Sequence, residues 1–144
     1  MSPLIIDASV AAKWILPPER EAFVEQAVWL FEQYTQGRLE FLFPDFFWAE
    51  LGNVLWKAVL AQRCSRTAAE EGLARLRNHS FSTFPAEKII ERAFAIATDY
   101  KRTVYDSIYV ALALEKSGQL ITADEKLANA LAAHLPVKWL GAWA

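Results

Sequence analysis

An α/β fold built on a mostly parallel sheet is what this sequence predicts, and three observations carry it. Short apolar segments bounded by Asp, Pro or Gly (Leu4-Ile5-Ile6, Phe41-Leu42-Phe43, Gln119-Leu120-Ile121-Thr122) read as buried strands. Longer segments of helical period separate them, so strand and helix alternate along the chain, the pattern of parallel strands joined by right-handed crossovers. Apolar residues make up 54% of 144 positions and aromatics 13%, which supplies the core of one domain over 1–144 with side chains left for an interface.

Taken in order, Leu4-Ile5-Ile6 is a strand ending at Asp7, and 8–16 is a short helix stopped by Pro17-Pro18. A helix over 19–36 follows, with apolar positions 23, 27, 30, 31 and 34 and Gly37 as its C-terminal cap. Phe41-Leu42-Phe43 is the next strand, closed by Pro44. The helix over 45–62 has a core face of Phe47, Leu51, Val54, Leu55 and Ala58, and a narrow polar stripe of Glu50, Asn53 and Lys57. That stripe reads either as a solvated face or as one wall of a cleft. Thr67 with Glu70 has the spacing of a capping box for a helix reaching Arg77. Residues 80–84 alternate as a strand, and Pro85 opens a helix through Tyr100. The helix of Tyr105 to Leu114 is apolar nearly all round and ends at Gly118. After the strand at 119–122, a helix over 125–133 and a last strand over 137–140 complete the chain.

Several classes are disfavoured. No uninterrupted apolar run approaches the roughly 18 residues that span a bilayer, and the N-terminus lacks a basic start and cleavage site, so no membrane role and a cytoplasmic location are expected. Cys64 is the single cysteine, which precludes an intrachain disulfide and a Cys-based zinc site and suits a reducing compartment. A net charge of −2 argues against nucleic-acid binding through bulk electrostatics alone. No P-loop, G-x-G-x-x-G or G-x-S-x-G occurs, so Ser9 and Ser107 are poor nucleophiles and better suited to orienting an Asp or capping a helix.

The chemistry points to carboxylates. In an open parallel sheet the ligand crevice lies beyond the carboxyl ends of the strands. Asp7 and Asp124 follow apolar strands there, and Asp106 opens a helix that faces the same edge. Glu50 lies on the polar stripe. Taken alone, Asp106 reads as a helix cap. Taken with three other acids in comparably apolar places, it reads as part of a site. Thr122 to Glu125 has capping-box spacing, which would let Thr122 cap and leave Asp124 free. Asp45 after Pro44 is a natural N-cap and Asp99 sits at a polar helix end, so neither is included. Clustered carboxylates repel unless a cation joins them, and an all-oxygen donor set favours Mg²⁺ or Mn²⁺ over zinc. His79 and His134 lie away from the acids. An all-carboxylate site of this kind suits attack at phosphorus. Lys13, Lys57, Lys101 and Arg102 are the candidates for phosphate contacts.

Four segments, in order, carry a family resemblance: Ile5-Ile6-Asp7-Ala8-Ser9 with Lys13-Trp14, Pro44-Asp45 through Trp48-Ala49-Glu50 and Asn53, Tyr105-Asp106-Ser107 through Ala113, and Ile121-Thr122-Ala123-Asp124-Glu125-Lys126-Leu127. With them the chain resembles the PIN-domain ribonucleases, specifically the VapC-type toxins of bacterial toxin–antitoxin pairs. The resemblance spans nearly the whole chain, and no acidic position of the motif is missing. It implies a PIN-like three-layer α/β/α fold with four to five short strands. It also implies a Mg²⁺- or Mn²⁺-dependent endoribonuclease, the toxin of a type II pair, with Asp7, Glu50, Asp106 and Asp124 as the acidic, metal-holding site and Ser9, Asn53 and Thr122 supporting it. Family members form homodimers and are held inactive by a cognate antitoxin. The tail 139–144 and the helix around Trp29-Leu30-Phe31 offer surface for such partners, or ordinary core. The same acids leave open a metal phosphatase, a DNA-directed nuclease, or a non-catalytic groove that binds a basic peptide.

Overall fold

A computed structural model describes residues 1–143. Strands β1 (Leu4–Ile6), β2 (Phe41–Pro44), β3 (Thr83–Phe84), β4 (Gln119–Thr122) and β5 (Val137–Trp139) form one sheet in the order β3-β2-β1-β4-β5. Every pairing is parallel, with Leu4 opposite Phe41 on one side and Gln119 on the other. Helices α1 (Ala8–Ala11), α2 (Val24–Thr35), α3 (Phe47–Leu60) and α4 (Arg66–Arg77) alternate with the first strands, and α5 (Ile90–Tyr100), α6 (Val104–Glu115) and α7 (Glu125–Leu131) with the last.

The sheet is covered on both faces, which is why β1 reads as an unbroken apolar run. Leu4 and Ile6 pack into one core with Val10, Leu30, Phe43, Phe47 and Leu51, while Ile5 faces a second core of Ile108, Tyr109, Leu112 and Leu131. The result is the three-layer α/β/α architecture. The chain builds outward from β1 through β2 to β3, then crosses to β4 and β5, so the order reverses between β1 and β4. A crevice opens at such a reversal.

Several local expectations are corrected. The helix expected over 19–36 begins only at Val24, because a 3-10 turn at Pro18–Arg20 follows the paired prolines and Phe23 takes a left-handed conformation, φ 59°. The segment 8–16 is a single α turn, Ala8–Ala11, running into a 3-10 turn at Ala12–Trp14. Of 80–84, only Thr83–Phe84 pairs with β2. The capping box at Thr67 does not form: Ser65 caps α4 by accepting from Ala68 N–H, and Glu70 pairs with Arg66 instead. Asp45 is not a cap either; it accepts from Ala86 N–H and ties the end of β2 to the segment after β3. In the aromatic segments Leu30 and Leu140 are fully buried, while Trp29 is 42% exposed and meets Trp143, so core and surface share them. Ala144 of that tail lies outside the described residues.

Candidate active site

Asp7 leaves β1 at the reversal and caps α1, its Oδ1 accepting from the N–H groups of Ser9 and Val10. The Ser9 hydroxyl donates to the same oxygen and accepts from Ala123 N–H, 3.0 Å away, so one serine ties the end of β1 to the segment leaving β4. Asp124 sits beside it as the cap of α7, Oδ1 accepting from Lys126 and Leu127 N–H. Asp124 itself, rather than Thr122, is therefore the cap. The fully buried Thr122 hydroxyl accepts from Asp124 N–H and braces the turn.

Asp106 is in the first turn of α6 without capping it. Thr103 is the cap: its hydroxyl accepts from Asp106 N–H and its carbonyl accepts from both the N–H and the hydroxyl of Ser107. The carboxylate of Asp106 is thus relieved of the capping role and left half-buried. Glu50, in the first turn of α3, reaches α6, where its Oε1 accepts from the Tyr109 hydroxyl at 2.7 Å. Tyr109 is buried on the face that carries Asp106 one turn earlier, and Phe46 packs edge-on against its ring. Tyr109 was legible only as core; a buried phenol must find a partner, and that signal could have linked it to an acid. Asn53 and Lys57 are exposed, so the stripe on α3 divides, with Glu50 alone turned inward.

The charges of these acids are linked through Asp106. Burial pushes Asp7 up to about 6, against the hydrogen bonds of Ser9, Thr122 and Val10, and the charge of Asp106 pushes the same way. Glu50 is raised by burial, with Tyr109 opposing and the charges of Asp7 and Asp106 adding. Asp106 is raised by burial and by Asp124, and Arg102 opposes. Asp7, Glu50 and Asp106 thus form a desolvated set drawn from three distant segments, with the exposed Asp124 adding its charge at Asp106. Among the described residues, however, no three His, Cys, Asp or Glu side chains are gathered closely enough to hold one ion. Lys13 is not free to meet a phosphate, being paired with Glu21 at 3.1 Å and nearly buried.

The PIN domain family model matches residues 4–131. The chain belongs to the PIN-domain family. Within it the chain is similar to the VapC proteins: Ribonuclease VapC3 of Pyrobaculum aerophilum is 33% identical over 133 residues, covering 88% of this chain and 92% of that one. Solved structures share the fold. The Pyrobaculum aerophilum protein PAE2754 superposes with a TM-score of 0.65 at 20% identity, covering 97% of this chain and 85% of that one. Mycobacterium tuberculosis VapC20, a sarcin-ricin loop cleaving toxin, gives 0.61 at 14% identity over 92% and 95% of the two chains. A toxin–antitoxin complex from Klebsiella pneumoniae gives 0.59 at 18% over 94% and 95%. No helix among the described residues is long and apolar enough to cross a membrane.

Proposed function

We propose that the protein is a Mg²⁺- or Mn²⁺-dependent endoribonuclease and the toxin of a type II toxin–antitoxin pair. The observation that carries this reading is three carboxylates buried about the β1–β4 reversal: burial raises Asp7, Glu50 and Asp106, the charge of Asp106 adds at Asp7 and Glu50, and that of Asp124 adds at Asp106. Family membership and the VapC relative add to it.

The donors fit a hard divalent cation: all are carboxylates, and their repulsion is what such a charge relieves. Among the described residues no three acids are gathered tightly enough to hold one ion, and a Mg²⁺ that keeps several waters would need only one or two carboxylates directly. Asp7 and Asp106 would hold it, and Asp124 would join directly or through water. The chemistry it supplies when bound is acidification of a water and neutralisation of charge developing at phosphorus. The chain does the rest. Ser9 and Thr122 fix the orientation of Asp7, and Tyr109 fixes Glu50, whose second oxygen positions the attacking water. Asn53, at the rim, is left to meet the RNA. A homodimer and a cognate antitoxin covering the groove complete the proposal, with the cytoplasm as its location.

The test is cleavage of labelled single-stranded RNA, duplex DNA and a small phosphate ester with Mg²⁺ or Mn²⁺. RNA is cut, EDTA stops the reaction, and Asp106→Asn is folded but inactive. Full activity of Asp106→Asn, or preference for DNA or the ester, overturns the reading.

A further inference from the structure

Residues 101–103 join α5 to α6 beside Asp106, and their backbone is tightly held. Lys101 closes α5 in a left-handed conformation, φ 57°, Arg102 N–H donates to Ala97 O at 3.2 Å, and Thr103 caps α6. Arg102 between them is half-buried, and its Nε is buried without a hydrogen-bond partner. No carboxylate oxygen lies within ion-pair distance of it among the described residues, in contrast to Lys13, Arg63, Arg66 and Arg92, which are each paired. A buried donor left unpaired is costly, and the planar guanidinium that carries it, rooted on this fixed backbone, has the donor geometry that matches a phosphate.

That placement answers a problem the carboxylates create. An RNA strand entering over Asp106 meets repulsion from the acids, so its own phosphate needs a cation at the mouth of the site. Lys57 and Lys101 are exposed, and Lys13 is taken up by Glu21, which leaves Arg102 as the cation among the four candidates that combines partial burial with an unmet donor beside an acid.

We propose that Arg102 is the phosphate clamp of this site, its guanidinium gripping a non-bridging oxygen of the RNA backbone as the strand passes Asp106. The assignment rests on the endoribonuclease reading and adds to it a substrate-positioning residue. Arg102 also moderates Asp106 electrostatically, and a residue doing only that would leave RNA binding untouched.

The experiment measures binding of a labelled single-stranded RNA by fluorescence anisotropy across a salt series in the Asp7→Asn background, with and without Arg102→Gln. The clamp predicts that Arg102→Gln lowers the slope of log Kd against log salt by about 0.7, one phosphate's worth on a single strand. Otherwise wild-type protein carrying Arg102→Gln loses about 10- to 100-fold in kcat/KM, the range for a lost charged hydrogen bond. Arg102→Lys keeps the slope and loses kcat/KM, because charge survives and the fork does not. An unchanged slope in Arg102→Gln overturns the clamp while leaving the nuclease standing. Undiminished cleavage by Asp7→Asn overturns the nuclease site and the clamp with it. Should Arg102→Gln not fold, unchanged kcat/KM in Arg102→Lys overturns the clamp.

Discussion

Asp7 does two things with one carboxylate: it caps α1 and contributes a buried negative charge to the crevice. The second is costly in the metal-free protein. Its carboxyl is raised from 3.8 to about 6 in the native state, so the fold favours the protonated form. Stability from this group is therefore fully present below about pH 4 and is lost as pH rises through about 6. Asp7→Asn keeps an acceptor for the cap and carries no charge. In EDTA it should be more stable than wild type at pH 7–8, by on the order of 3 kcal/mol, and the gap should close near pH 4. Denaturant melts at several pH values check this; a gap independent of pH contradicts it. Sequence singled out Asp7, Asp106 and Asp124 because acids at the ends of apolar segments stand out, and Glu50 because it lies on a narrow polar stripe. It could not divide the labour among them, because whether an Asp caps a helix depends on what its neighbour's hydroxyl does. Thr103 takes the cap of α6 from Asp106, and Asp124 takes the cap of α7 from Thr122.

At the scale of elements, the apolar period gave helices and strands their identity but not their ends. The helix α2 starts late because Pro17-Pro18 and the left-handed Phe23 turn the chain before it can propagate. The cap of α4 is Ser65, two residues ahead of the Thr67 that the spacing suggested. Ser65→Ala should therefore cost about 1 kcal/mol, while Thr67→Ala should cost little. Equal losses in the two variants, measured by urea denaturation, would show that the cap is shared. The strand expected over 80–84 shrinks to Thr83–Phe84 because β3 is an edge strand and pairs with β2 alone, while Phe81 is drawn into the aromatic cluster around Phe43 and Trp48.

For the whole molecule, the strand order puts the ends of β1 and β4 side by side, and α3 and α6, from opposite faces of the sheet, bring Glu50 and Asp106 to that line. A cation that relieves repulsion at the crevice binds the native state and not the unfolded one, so it stabilises by mass action. At about a hundred times its Kd, Mg²⁺ or Mn²⁺ should add about 2.7 kcal/mol and raise Tm by several degrees, reversibly with EDTA. Asp106→Asn should lose most of that rise. A melting temperature indifferent to either ion would remove the metal from the proposal without touching the fold.

Alternation of short apolar runs with helical segments determined the layered α/β class, and three acids at the ends of those segments with a fourth on a polar stripe determined where to look for chemistry, because periodicity and the cost of charge in apolar surroundings are written locally. Tertiary structure decided which acids cap and which stand free, that Tyr109 serves Glu50, that Lys13 is consumed by Glu21, and that Arg102 keeps an unmet donor beside Asp106. The Tyr109–Glu50 pair joins residues 59 apart through packing across the sheet, and even the near pairs, such as Lys13 with Glu21, depend on how the folded backbone turns between them rather than on residue type alone.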